Sequence, residues 1–192
     1  GPYVVVGAGA IGGIVGAHLI RTGHEVVFVE ANRAHAEAIR ADGLRLTGAA
    51  EFTVRAEVVA PETFDRPAGR VLLAVKSRDT EAALVPIAPR LAADGYVVSL
   101  QNGLEEAKIA ARVGAERTIG AYLTFGGHYA GPGHIHFGGP ASLKVGELDG
   151  RATDRLEALR RDLSALQPVE ATGNILGWLW AKMALGSVYF AT

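Results

Sequence analysis

One stretch near the start limits the possible folds more than any other: Tyr3-Val4-Val5-Val6-Gly7-Ala8-Gly9-Ala10-Ile11-Gly12. The β-branched residues after Tyr3 read as a fully buried parallel strand, and the glycines fall where such a strand must turn sharply into a helix. Gly7 permits the tight turn, Gly9 lets a diphosphate approach the backbone, and Gly12 lets the new helix pack close to the strand. The whole loop, Ala8, Ala10 and Ile11 included, is therefore a candidate cofactor contact, with phosphates at the positive end of the helix. An amphipathic helix with Ile11, Ile14, Val15, His18 and Leu19 follows, and a second apolar strand, Val26-Val27-Phe28-Val29, closes the unit. Glu30 stands at the end of that strand, and an acid about 20 residues beyond the glycines is where a dinucleotide site holds the adenosine ribose hydroxyls. A tight turn that binds nothing is the competing explanation, and the combined context weighs against it.

Bulk properties narrow the class. At 192 residues the chain can bury one good core, or a full domain plus part of another. With 19 basic against 20 acidic residues the net charge is −1, so no long-range field draws nucleic acid or an anionic membrane, and neither is expected as a partner. Cysteine is absent, which removes disulfides, cysteine nucleophiles and thiolate metal sites together. No apolar run approaches the roughly 20 residues of a membrane span, and no signal segment opens the chain, so a cytoplasmic location is expected. Both ends read as cut. The chain opens on Gly1-Pro2 without methionine and stops at Thr192 inside an apolar pattern.

Along the chain, a short polar helix with Ala34, Ala38 and Ile39 stops at Asp42-Gly43. Short strands through Leu44, Leu46, Phe52, Val54 and Val58-Val59 are expected to lie peripheral to the main sheet. Val71 to Val75 is the next buried strand, and Lys76 at its carboxyl end either meets a ligand or merely solubilises a loop. After a helix from about Asp79 to Ala88 and a strand from Tyr96 to Leu100, Gln101-Asn102-Gly103 is a turn signal that also puts an amide side chain at the same carboxyl edge. A helix over Leu104 to Val113 leads to a sixth strand, Thr118 to Leu123. Short runs around Ala130-Gly131-Pro132-Gly133 and at Ser142 to Val145 are expected to add antiparallel strands to the parallel sheet. His134 and His136 share a strand face, but no third ligand lies nearby in sequence and no metal site is assigned. A charged helix from Ala152 to Leu166, capped by Thr153, precedes a domain boundary near Gln167 to Asn174.

The last helix carries Trp178-Leu179-Trp180-Ala181-Lys182, followed by Met183, Leu185, Val188, Tyr189 and Phe190. A helix apolar on so many faces needs partners on several sides. Lys182 shares a face with Trp178 and Leu179. Apolar surroundings would lower its pKa and make it a better proton donor; alternatively its stem lies along the tryptophan and its charge snorkels to water.

Taken in order and spacing, Gly7-Ala8-Gly9-Ala10-Ile11-Gly12, Val75-Lys76, Gln101-Asn102-Gly103, Pro132-Gly133 and Leu179-Trp180-Ala181-Lys182 resemble the ketopantoate reductase (2-dehydropantoate 2-reductase) family over almost the whole chain. The resemblance implies an α/β, Rossmann-type doubly wound and mainly parallel sheet over residues 1–167, and the beginning of an all-helical substrate and dimerisation domain over 168–192. It implies NAD(P)H-dependent reduction of a small 2-keto acid, ketopantoate foremost, and allows a homodimer formed through the helical domain. The glycine loop and Lys76 would bind the cofactor, Asn102 would contact cofactor and substrate, and Lys182 would give a proton to the carbonyl oxygen.

Two departures qualify this. The family usually carries asparagines one and two helical turns after the lysine, where this chain has Gly186 and Phe190, so another small keto acid is an alternative substrate. A dinucleotide-binding module without catalysis is a further alternative. Many relatives carry an arginine after the second strand for the 2′-phosphate of NADP(H), whereas here Glu30 stands there and Arg33 follows. Glu30 favours NAD(H), Arg33 and the family favour NADP(H), and the choice stays open at this level.

Overall fold

The computed structural model describes residues 1–190 and the side chains of residues 1–186. The first half of the chain forms β1 (Tyr3–Val6), α1 (Ala10–Arg21), β2 (Val26–Val29), α2 (Arg33–Asp42), β3 (Leu44–Gly48), β4 (Phe52–Val54), β5 (Glu57–Val59), β6 (Ala68–Leu73) and α3 (Thr80–Ile87). The second half forms β7 (Leu91–Ser99), α4 (Glu106–Val113), β8 (Thr118–Leu123), β9 (Gly126–Gly131), β10 (His134–Gly139), β11 (Leu143–Glu147), α5 (Asp154–Leu163), β12 (Glu170–Ala171) and α6 (Ile175–Phe190).

An eight-stranded sheet runs β12-β11-β8-β7-β6-β1-β2-β5. Its strands from β8 to β5 are parallel neighbours, and β11 is the added antiparallel strand. Every residue of β1 and β2 is buried, as continuous apolar runs require when helices cover both faces. Val5, Phe28, Leu72 and Val98 face the layer holding α1 and α5, while Val4, Val6, Val71, Leu73 and Val97 face α3 and α4. The chain steps from β1 to β2 on one side and returns to place β6 on the other. That reversal beside β1 is the topological switch point, where open α/β sheets leave a crevice at their carboxyl edge.

A second sheet, β4-β3-β10-β9, covers α1. The strands around Pro132-Gly133 pair as an antiparallel hairpin, but the hairpin joins this sheet rather than the parallel one, with β10 docked parallel on β3. The reason lies in α1, whose small residues leave a face that needs apolar cover. A Cβ on Gly13 would stand 3.2 Å from Ile135, and one on Gly16 would stand 2.6 Å from the Phe28 ring on the sheet side. The segment expected to be peripheral is divided: β3 and β4 belong to the second sheet, and β5 is an edge of the main one. β7 starts at Leu91, earlier than its apolar run, because Leu91 already pairs with Ala68 of β6, and Ala92, Ala93 and Asp94, which carry no strand pattern, fall in the irregularity before pairing resumes at Tyr96 opposite Arg70.

Thr153 caps α5 by accepting a hydrogen bond from the Leu156 N–H. Residues beyond 167 add β12 to the sheet edge, where Lys144 pairs with Glu170 and stacks on Trp178. On α6, Ile175 and Leu179 are buried against the sheet, whereas Trp180, Met183 and Leu185 are exposed. The side chains of Val188, Tyr189 and Phe190 lie outside those described. No helix among the described residues is long and apolar enough to cross a membrane.

Candidate active site

The carboxyl ends of β2, β1, β6 and β7 open onto a cavity of about 550 Å³. Its three signature glycines answer to different causes. Gly7 has φ +92°, a conformation other residues rarely adopt, and a Cβ on Gly12 would stand 2.0 Å from the Gly7 carbonyl oxygen. The fold therefore demands both. Gly9 has φ −68° and ψ −159°, and a Cβ there would meet nothing within 4 Å. No contact in the protein requires Gly9 to lack a side chain, whereas a ligand resting on the backbone from the cavity would. As the residue before α1, Gly9 offers no capping side chain, and no acid lies in the first turn. The first-turn N–H groups are thus left for an anion, and the loop fits a diphosphate.

Ala8 is placed differently from its neighbours. Its N–H donates to Glu30 Oε2 at 2.7 Å, and its carbonyl is 2.8 Å from His35 Nε2. The Gly133 N–H donates to His35 Nδ1 at 2.9 Å, so the proton sits on Nε2 and is given to Ala8. His35 thereby ties the glycine loop, α2 and the β9–β10 turn together, a role no sequence pattern marked. Glu30 lines the cavity, and its other oxygen accepts from the Asn32 N–H at 2.7 Å. Arg33 does not line it: its side chain is exposed and bonds Glu37 at 2.7 Å.

At the opposite end stand Lys76, Ser77, Gln101 and Asn102. The Gln101 amide donates to the Val75 carbonyl and to Thr80 Oγ1, both at 2.9 Å. Thr80 lies 3.0 Å from Glu105, which pairs with Lys108, and the Ser77 hydroxyl donates to the Asn102 carbonyl at 2.7 Å. These bonds fix the turn after β6 against the turn after β7. Thr80, Glu105 and Ser77 were not legible as members of this network, since their partners lie about 25 residues away.

Lys182 reaches this corner from α6. Its Nζ donates to Asn102 Oδ1 at 2.7 Å and to the Leu123 carbonyl at 2.5 Å. An ammonium only donates, so the Asn102 oxygen must face it and the amide NH₂ is free to donate elsewhere. One of the three Lys182 protons is left uncommitted by these two bonds. Burial pushes the Lys182 pKa below that of an ordinary lysine. Gly186 lies one turn further along α6 in open space, and the Phe190 side chain lies outside those described. A cation with a spare proton, bonded to an amide that lines the same cavity as the glycine loop, is an arrangement that could polarise and protonate a carbonyl beside a dinucleotide.

A doubly wound sheet with this glycine loop and an acid after its second strand defines a Rossmann-type domain of the dinucleotide-binding class. More particularly, the chain belongs to the family described as ketopantoate reductase PanE/ApbA, which matches residues 3–150. It is 32% identical over 185 residues to a 2-dehydropantoate 2-reductase of Archaeoglobus fulgidus, covering 95% of this chain and 60% of that protein. A PanE/ApbA family ketopantoate reductase from Ralstonia eutropha JMP134 superposes with a TM-score of 0.82 at 34% identity, over 94% of this chain and 59% of that one. The fold alone is shared with a D-mandelate dehydrogenase solved with NADH and anilino(oxo)acetate, at 23% identity and a TM-score of 0.84 over 94% of this chain and 60% of that one. The chain thus spans about 60% of the length of the relatives it matches.

Proposed function

We propose that the protein reduces 2-dehydropantoate to pantoate with a nicotinamide dinucleotide, and that this chain supplies the cofactor domain and the proton donor. The observation that carries the reading is the contact between Lys182 and Asn102 at the cavity's edge, with one ammonium proton to spare. In this reading the glycine loop and the first turn of α1 hold the diphosphate, Glu30 the adenosine ribose, and Lys76 and Asn102 the nicotinamide side. The reduced nicotinamide, when bound, supplies hydride to the keto carbon. Lys182 hydrogen-bonds the keto oxygen, stabilises the negative charge that grows there and passes its proton to it, giving the alcohol. Asn102 holds the ammonium in place and offers its NH₂ to the substrate. Residues 1–167 form the cofactor domain and 168–192 begin a helical domain, which closes the cleft and carries the homodimer contact of a cytoplasmic enzyme.

The test is dinucleotide oxidation by the full-length protein, followed at 340 nm, with 2-dehydropantoate and a panel of other 2-keto acids. Turnover highest on 2-dehydropantoate is expected. Turnover highest on another keto acid would move the assignment to that substrate, and binding without turnover on any would leave only a dinucleotide-binding module.

A further inference from the structure

We infer that the adenosine end of the cavity selects the free ribose diol of NAD(H) and rejects the 2′-phosphate of NADP(H), with Glu30 as the specificity-determining residue. The inference rests on the dinucleotide reading above and decides what that reading leaves open.

The Glu30 carboxylate is already held in place. One oxygen accepts from the Ala8 N–H and the other from the Asn32 N–H, each at 2.7 Å. A carboxylate has about four lone-pair positions, so these two bonds leave room for two more. Glu30 lines the cavity at the end of β2, where vicinal ribose hydroxyls can each donate to it. A 2′-phosphate has no such pair of protons to offer and brings roughly −1.5 to −2 of charge against the carboxylate. Turning Glu30 aside would forfeit two charge-assisted bonds and release the Ala8 N–H of the glycine loop.

The surroundings give a phosphate no compensation. Glu62, which lines the same end, adds a second carboxylate. Arg33 is exposed and bonded to Glu37 at 2.7 Å, Arg40 donates to the Val58 carbonyl at 2.9 Å, and Arg66 pairs with Glu57. Lys76 is the basic residue on the cavity, but it follows β6, and β1 lies between β6 and β2 in the sheet. Lys76 therefore stands on the nicotinamide side, where Asp79 also lines the cavity, and Glu30 and Glu62 line the ribose side with no basic lining residue beside them.

Calorimetric titration of the full-length protein with NADH and with NADPH tests this without reference to turnover. NADH is expected to bind at least about tenfold more tightly, the ratio falling with added salt as like-charge repulsion is screened. Glu30→Gln keeps the shape and removes the charge, and is expected to narrow the ratio by weakening NADH and strengthening NADPH. Equal or tighter binding of NADPH by the unmodified protein would overturn the inference while leaving the dinucleotide site standing. A selective loss of NADPH binding in Arg33→Ala would overturn it as well, by making Arg33 the phosphate ligand. Binding of neither dinucleotide would overturn the reading beneath it.

Discussion

Burial withdraws water from the Lys182 ammonium, and that desolvation lowers its pKa below an ordinary lysine's. In the proposed reaction the sign matters, because reduction would consume the protonated form. Reduction by the full-length enzyme is therefore expected to be level on the acid side and to fall by about tenfold per pH unit above the lowered pKa, so the alkaline limb arrives earlier than a solvated lysine would place it. Lys182→Met is expected to lose about 10²–10⁴ in kcat and to abolish that limb, while the dissociation constant for the dinucleotide stays unchanged. A parallel loss of cofactor affinity would instead make Lys182 a binding residue. Asn102, Lys76 and Glu30 were visible in the sequence because each follows an apolar run that ends at the same sheet edge, and Lys182 because it shares a helix face with Trp178 and Leu179. His35 was not, since its partners, Ala8 and Gly133, lie 27 and 98 residues away and nothing local distinguishes it from a helix-surface histidine.

The elements around that histidine show how the glycine loop gets its rigidity. α1 lies between two sheets, and α2 and the β9–β10 turn are fastened to the loop through one imidazole, which is 1% exposed. His35→Ala leaves the Ala8 carbonyl and the Gly133 N–H without that partner, and each orphaned buried group costs about 1–3 kcal/mol. The expected result is a lower urea midpoint at unchanged m, together with weaker dinucleotide binding. Loss of stability alone would confine His35 to the core and detach it from the site. The parallel strands were legible as elements because burial on both faces leaves unbroken apolar runs. The second sheet was not, because the β3–β10 pairing joins segments about 90 residues apart and short alternating runs do not specify their partner.

At the scale of the whole molecule, folding and ligand binding place separable demands on the same loop. Gly7 and Gly12 serve the chain itself, one through its positive φ and the other through close approach, so substitutions there test both properties at once. Gly9 separates them, since a Cβ there meets nothing within 4 Å and its φ of −68° suits other residues. A dinucleotide at about 100 times its dissociation constant stabilises the native state by about 2.7 kcal/mol, which for a protein of this size corresponds to roughly 5–10 °C in Tm. Gly9→Ala is expected to melt within about 2 °C of the unmodified protein when unliganded, as a substitution without steric conflict should. With dinucleotide present it is expected to lose most of the shift, because the methyl group occupies the space through which the diphosphate reaches the backbone N–H groups. Differential scanning fluorimetry with and without cofactor reads both quantities from one sample. A full shift in Gly9→Ala would mean that the diphosphate does not rest on this turn, and the assignment of the remaining contacts along the sheet edge, from Glu30 to Lys182, would have to be rebuilt from a different anchor.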